Sequence, residues 1–142
     1  MNFTELEKTR DRVCAEISSD SFTKDVEQLL TDIVEIPIRD GLLRFLYDNA
    51  DLRKQSAKNL QTLLETDSGF AKCAVATVLA GCTWLDSDFI STRKALDLAL
   101  EIDSTYSLAR LLDVALTHGI PASVWADSLA AVSPEQCLTG AA

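Results

Sequence analysis

Residues 70–85 are nearly all apolar or small, and they constrain the fold of the chain more than any other segment. Lys72 is the only charged residue among them. A helix that is apolar on every side has to be buried on every side. At roughly 16 residues, the stretch is shorter than the ~20 apolar residues that cross a bilayer. The sequence therefore predicts a central helix in a helical domain.

The rest of the chain has the periodicity of short helices. Only five glycines and three prolines occur in 142 residues, whereas a many-stranded sheet needs a turn about every 8–12 residues. Helices are predicted at about residues 4–17, 22–35, 38–47, 52–66, 70–85, 89–102, 104–117 and 121–131. We expect an all-α fold of seven or eight short helices in antiparallel hairpins. A single domain is predicted at residues 1–132, followed by a flexible C-terminal tail at residues 133–142.

Two segments, 58–70 and 94–106, are similar at a spacing of 36 residues. The identical pairs are Lys58 with Lys94, Leu60 with Leu96, Leu64 with Leu100, Glu65 with Glu101, Asp67 with Asp103 and Ser68 with Ser104. Phe70 corresponds to Tyr106 as an aromatic pair. A period in the mid-thirties is typical of stacked helical hairpins, although two unrelated amphipathic helices with the same capping sequence would give the same pattern.

The stretch from Leu79 to Asp103 also resembles a tetratricopeptide repeat. Leu79 and Ala80 stand where that motif has a Leu-Gly pair, and residues 99–103 match its closing Ala-Leu-x-x-Asp. Ser104 replaces the motif's proline, and Thr92 replaces its usual alanine. The resemblance implies tetratricopeptide-like, right-handed stacking of the hairpins.

The chain is acidic along its whole length, with a formal net charge of −9. Fourteen acids and nine bases precede residue 71, and eight acids and four bases follow it. Direct binding to nucleic acid or to an anionic membrane is disfavoured, since both need clustered Lys and Arg. The acids are interpreted as a solvated surface that aids solubility. The alternative is an acidic face that blocks a nucleic-acid-binding protein.

No residue pattern of a catalytic, metal or cofactor site is found. The four cysteines, Cys14, Cys73, Cys82 and Cys137, have no CxxC spacing and are interpreted as reduced thiols. His118, the only histidine, is expected to cap a helix that ends before Gly119. No phosphate-binding loop or Ser-His-Asp set is present. Residues 1–12 do not form a signal peptide, so we expect a cytoplasmic protein that is not an enzyme and needs no cofactor.

A series of elements, all but the first in the second half of the chain, occurs in the order typical of a known family. They are residues 37–40, Trp84, residues 87–88, 95–100, 103–112 and 119–121, and Trp125. Over about residues 33–128 the chain resembles the C-terminal helical region of an actinobacterial family, domain of unknown function 4192. Ser104 departs from the family's proline, and Asp86-Ser87 lacks its glycine.

The family resemblance implies a fold and a host rather than an activity. The family has no established activity. Its members usually carry a further N-terminal region, so the chain resembles a free-standing half. A short member of the family of this kind would suit a phage or mobile element of an actinobacterial host.

The function that remains is binding of another protein. Stacked hairpins offer a groove or a flat face to a partner helix or peptide. The predicted partner-binding residues are Arg39, Trp84, Tyr106, Leu108 and Trp125, with an exposed apolar patch expected around the last three. Packing within the domain is the alternative role for the aromatic residues, and pairing with a neighbouring helix is the alternative for Arg39. Homodimerisation is compatible with this function, whereas a small-molecule sensor or enzyme would need an enclosed pocket.

Overall fold

The computed structural model describes residues 1–22, 25–66 and 69–139, and these residues form α-helices and no β-strand. The helices are α1 (Phe3–Ile17), α2 (Val26–Ile33), α3 (Ile36–Asp48), α4 (Arg53–Leu64), α5 (Ala71–Leu85), α6 (Phe89–Ile102), α7 (Ser107–Thr117), α8 (Ala122–Ala130) and α9 (Pro134–Thr139). A short 3-10 turn at Ala50–Leu52 precedes α4. The prediction of an all-α fold is confirmed, with one helix more than the seven or eight expected.

Helix α5 lies at the centre of the protein, as its apolar sequence predicted. All of its residues from Cys73 to Cys82 are buried, and so is Trp84. It packs against α2, α3, α4, α6, α7 and α8. Small side chains such as Ala76 and Ala80 let these neighbours approach the helix closely on every side.

A buried amide ties the first half of the chain together. Asn59 on α4 donates from Nδ2 to the carbonyl oxygens of Ile17 and Ser19, at 2.7 Å in both cases. Carbonyls at a helix C-terminus lack partners within their own helix, and Asn59 supplies one for the end of α1. An ion pair between Arg12 and Asp32 joins α1 to α2.

Two helices end in the same motif, in which a residue with positive φ closes the last turn. At the end of α7, Gly119 has φ +72°, and the N–H of Ile120 donates to Ala115. This confirms the predicted role of Gly119 as a C′ glycine. At the end of α5, Ser87 takes that position with φ +57°.

Helix α9 lies within residues 133–142, for which the sequence predicted a flexible tail. It packs on α3, and Leu138 is only 2% exposed. The Arg44 guanidinium on α3 donates to the carbonyl oxygens of Leu129 and Val132, which fixes the chain just before α9. Burial of Leu138 gives this short segment a tertiary reason to be helical that its own sequence does not reveal. Residues 140–142 lie outside the described residues.

Each of the two segments related by 36 residues includes the end of one helix and leads to the start of the next. α5 begins at Ala71 and α7 begins at Ser107, and Leu60 and Leu96 are both fully buried. Asp67 and Ser68, which belong to the similarity, lie outside the described residues. Tetratricopeptide-like stacking stays a prediction. None of the described helices is long and apolar enough to cross a membrane.

Candidate functional site

Arg39 and Tyr106, two of the predicted partner-binding residues, contact each other. Arg39 in the first turns of α3 is only 9% exposed. Its Nη1 donates to the Tyr106 hydroxyl at 3.1 Å, and its Cζ lies 5.7 Å from the centroid of the Tyr106 ring. Nε donates to Asp40 at 2.9 Å. These contacts join α3 to the start of α7.

The interactions of Arg39 keep its guanidinium charged. Burial by itself lowers the pKa of Arg39, but the hydrogen bond to Tyr106 and the charge of Asp40 outweigh it, so that the pKa is raised. A charged, paired and largely buried arginine is a structural link between helices. A partner protein would reach little of it.

Trp84 and Trp125 also contact each other, in the interior of the protein. Their rings are stacked, and both side chains are buried. Trp125 Nε1 donates to the carbonyl oxygen of Gly81 at 2.8 Å. A side chain at Gly81 would place its Cβ 2.7 Å from Leu43 and 3.0 Å from Trp125. The absence of a side chain at Gly81 therefore lets α8 lie close to α5.

Leu108 lies beside this aromatic pair. It is partly buried and lines a cavity of about 240 Å3 with Leu43, Trp125 and Leu129. The five predicted residues thus form two contacts, Arg39 with Tyr106 and Trp84 with Trp125, and Leu108 lies beside Trp125. They do not form the exposed apolar patch that was expected around Tyr106, Leu108 and Trp125, because Trp125 is buried and the other two are partly buried.

An exposed apolar surface lies close by, on the other side of α7. Leu111 is 65% exposed and Val114 is 55% exposed, while Ala109 and Leu112 on the same helix are buried. Phe89 and Ile90, at the start of the neighbouring helix α6, are also exposed. Leu111 and Val114 line a shallow depression with Thr105, Ser107 and Arg110, which does not include Phe89 or Ile90. We call these four exposed residues on two neighbouring helices, Phe89, Ile90, Leu111 and Val114, the α6–α7 apolar surface.

A separate groove lies where the two helices meet, and of the α6–α7 apolar surface Phe89 lines it. It has a volume of about 600 Å3 and is lined by Phe89, Arg93, Leu116, Ile120 and Pro121, among other residues. Arg93 on α6 forms ion pairs with Asp113 on α7 and with Asp97. The groove is therefore apolar along its walls, with one neutralised charge.

The sequence contained a signal for the α6–α7 apolar surface. At 100° per residue, Leu108, Leu112, Ala115 and Leu116 form one stripe of α7. Leu111 and Val114 lie outside that stripe, so α7 has more apolar residues than one buried face requires. A search for surplus apolar residues on the last long helix would have found them.

The chemistry available elsewhere in the described residues is limited. Burial raises the pKa of Cys14 and of Cys82 to about 12, and that of Cys73 to about 11. These thiols are therefore protonated and unreactive at neutral pH. All four cysteines are free, as predicted.

The remaining candidate for catalysis, His118, has a structural contact. Its Nδ1 lies 2.8 Å from the carbonyl oxygen of Val114, to which it donates. This confirms the predicted cap. No group of three or more potential metal ligands occurs in the described ranges 1–22, 25–66 and 69–139.

The geometry is that of an all-α domain with a packed interior and with exposed apolar residues on α6 and α7. The profile of the family described as Domain of unknown function (DUF4192) matches residues 3–123. The chain therefore belongs to this family. The match includes α1 and α2, which precede the segment 33–128 that carried the resemblance. Neither the curated proteins nor the solved structures compared with the chain give a match.

Proposed function

We propose that the protein is a non-catalytic protein-interaction module that binds its partner on the α6–α7 apolar surface. The observation that carries the proposal is the exposure of Leu111 and Val114 on a helix whose opposite face is buried. Single exposed apolar residues are normal on a protein surface. Leu111 and Val114 together on α7, with Phe89 and Ile90 exposed on the neighbouring helix, favour a binding face.

The chemistry of this surface favours a protein as the partner. Leu111 and Val114 are one helical turn apart, which is the spacing at which one helix offers anchors to another. Arg110 is also exposed on α7 and would lie at the edge of such an interface. Polar edges around an apolar centre are the usual arrangement in transient complexes.

Several finer properties belong to the same proposal. The partner would be another protein and not nucleic acid or a membrane, in a cytoplasmic setting. A second copy of the chain is one such partner. Helix starts 36 residues apart at Ala71 and Ser107 support a tetratricopeptide-like arrangement. An actinobacterial origin, in a host or its phage, remains a prediction from the resemblance.

Site-specific photo-crosslinking in the cells that produce the protein would test the proposal. A photoreactive amino acid at Leu111 or Val114 is expected to give a discrete protein adduct. The matched control places the same amino acid at Glu27, which is exposed on α2. Absence of an adduct at Leu111 and Val114, or the same adduct at Glu27, would contradict the proposal. Mass spectrometry of the adduct distinguishes a second copy from another protein.

A further inference from the structure

A second groove lies on the opposite flank of α6 from α7. Helices α4 and α6 both pack on α5, and a groove of about 500 Å3 lies between them. Its walls and floor include Leu64 on α4, Leu79 on α5 and Leu98 on α6. Helices α4 and α6 both run antiparallel to α5, since Cys82 contacts Arg53 and Cys73 contacts Ala99. The groove is therefore bordered by two helices that run in the same direction.

A lysine stands on each side of this groove. The groove is lined by Lys58 on α4 and by Lys94 on α6, and both side chains are exposed. The two lysines are also matched in the sequence similarity between segments 58–70 and 94–106. Among the described residues, every ion pair uses an arginine as its cation. Neither lysine is in an ion pair with a described residue, although the charge of Lys94 helps to lower the pKa of Asp88. Both are exposed cations in a protein whose net charge is −9. Of the acids that the structure describes, only Asp88 lines the groove, at its end next to the start of α6.

We infer that this groove is a second docking site, which takes an amphipathic α-helix with acidic flanks from a partner protein. The apolar side of such a helix would pack on the half-buried Leu98 and on the small accessible parts of Leu64 and Leu79, which are 7% and 6% exposed. Its carboxylates, on either side of the apolar stripe, would pair with Lys58 and Lys94. A helix laid into an apolar groove is an established mode of recognition, and opposite charges at the rim set orientation and association rate.

Other occupants fit the groove less well. A small molecule needs polar groups that converge inside an enclosed pocket, whereas here the charges stand at the two exposed rims. Nucleic acid needs more cations than two lysines in an acidic protein supply. The inference does not rest on the α6–α7 apolar surface, because Ser91, Lys94 and Leu98 lie on the side of α6 away from Phe89 and Arg93.

The probes for this site are two designed helical peptides of about 16 residues. One has a leucine stripe flanked by glutamates, and the other has the same stripe flanked by lysines. Fluorescence anisotropy of the labelled peptides measures binding to the whole protein. The acidic peptide is expected to bind, and Lys58→Glu with Lys94→Glu is expected to weaken it at least about tenfold. The same double variant should gain binding of the basic peptide.

The control variant is Lys8→Glu with Arg110→Glu, which changes the net charge by the same amount at exposed positions outside the groove. It is expected to leave the affinity for the acidic peptide within about twofold. Since Lys58 and Lys94 are exposed, reversing their charge should leave the circular dichroism spectrum unchanged. The gained binding of the basic peptide is a second readout that loss of folding would not give.

Four outcomes would overturn the inference. The first is failure of the acidic peptide to bind, and the second is an equal loss of affinity for it in the groove variant and in the control variant. The third is complete displacement of the peptide by inorganic phosphate. The fourth is that the peptide changes amide chemical shifts on α7 instead of on α4 and α6. None of them depends on crosslinking at Leu111. The two proposed binding surfaces are therefore tested independently of each other.

Discussion

The indole rings of Trp84 and Trp125 stack with their centroids 6.0 Å apart and their planes at 12°. This pair joins the central helix α5 to α8, which is distant in the chain. Only one of the two indoles has a hydrogen bond within the described residues. Trp125 Nε1 donates to Gly81, while the buried Trp84 Nε1 has no acceptor there. The two tryptophans therefore differ in polar contacts while sharing one packing contact.

Replacing each tryptophan by phenylalanine should expose this difference. Both variants lose the same ring area, but only Trp125→Phe also loses a buried hydrogen bond. Trp125→Phe is expected to lower the free energy of unfolding by about 1 kcal/mol more than Trp84→Phe. Urea denaturation of the two variants measures the difference. An equal loss, or a larger loss for Trp84→Phe, would show that packing alone decides the stability of the pair.

Ser87→Gly is expected to stabilise the protein by about 0.5–1 kcal/mol. Ser87 has φ +57° in the turn between α5 and α6, at a turn where the family pattern has glycine. A side chain is strained in this region of backbone conformation, and glycine is not. Thermal unfolding measures the change.

The matched control for Ser87→Gly is Gly119→Ala, because Gly119 has φ +72° at the same position after α7. No atom lies near the Cβ that this change would add, so backbone strain alone should destabilise the protein, by about 1 kcal/mol. Changes of the same sign at both positions would refute the explanation by backbone conformation.

Tyr106→Phe removes the oxygen that accepts a hydrogen bond from Arg39. Since this bond involves a charged and largely buried donor, the expected loss is about 1.5–3 kcal/mol in the free energy of unfolding. The control is Tyr47→Phe. The Tyr47 ring lies 5.5 Å from the Arg44 guanidinium carbon and would keep that contact. Guanidinium denaturation of both variants compares them, and a similar small loss in each would mean that the Arg39–Tyr106 bond contributes little.

Asp88 should make the stability of α6 depend on pH. Its carboxylate accepts a hydrogen bond from the Ser91 N–H at 3.1 Å, and hydrogen bonding to Ser91 lowers its pKa below the ordinary value of 3.8. A carboxyl whose pKa is lower in the folded state stabilises the protein above pH 3.8, and this contribution is lost as the pH falls through the folded pKa. The difference in melting temperature between wild type and Asp88→Ala should therefore be largest near neutral pH and shrink in acid.

Glu101→Ala, which removes an exposed carboxylate further along α6, is the control for this pH dependence. Its melting temperature relative to wild type should vary less over the same pH range. A difference for Asp88→Ala that grows as the pH falls would contradict the role of the charged cap.

Much of the fold could be predicted from local sequence alone. The apolar run around Val75 and Val78 indicated a central helix, because no exposed helix can carry apolar residues on every side. Gly119 indicated the end of α7, because glycine adopts the positive φ of a helix C-terminus without steric cost. Helix α7 begins at Ser107 and not at the predicted residue 104, since the Asp103 side chain accepts hydrogen bonds from Thr105 and holds a turn there.

The positions of the candidate surfaces were decided by tertiary structure. Trp125 at a helix start has the same local sequence whether it is exposed or buried, and only the close approach of α8 at Gly81 places it inside. Leu111 and Val114 are exposed because no described element covers the outer face of α7, which is a property of topology. Lys58 and Lys94 border one groove because α4 and α6 pack side by side on α5. Local propensity determines where helices begin and end, whereas long-range packing determines which of their faces reach solvent.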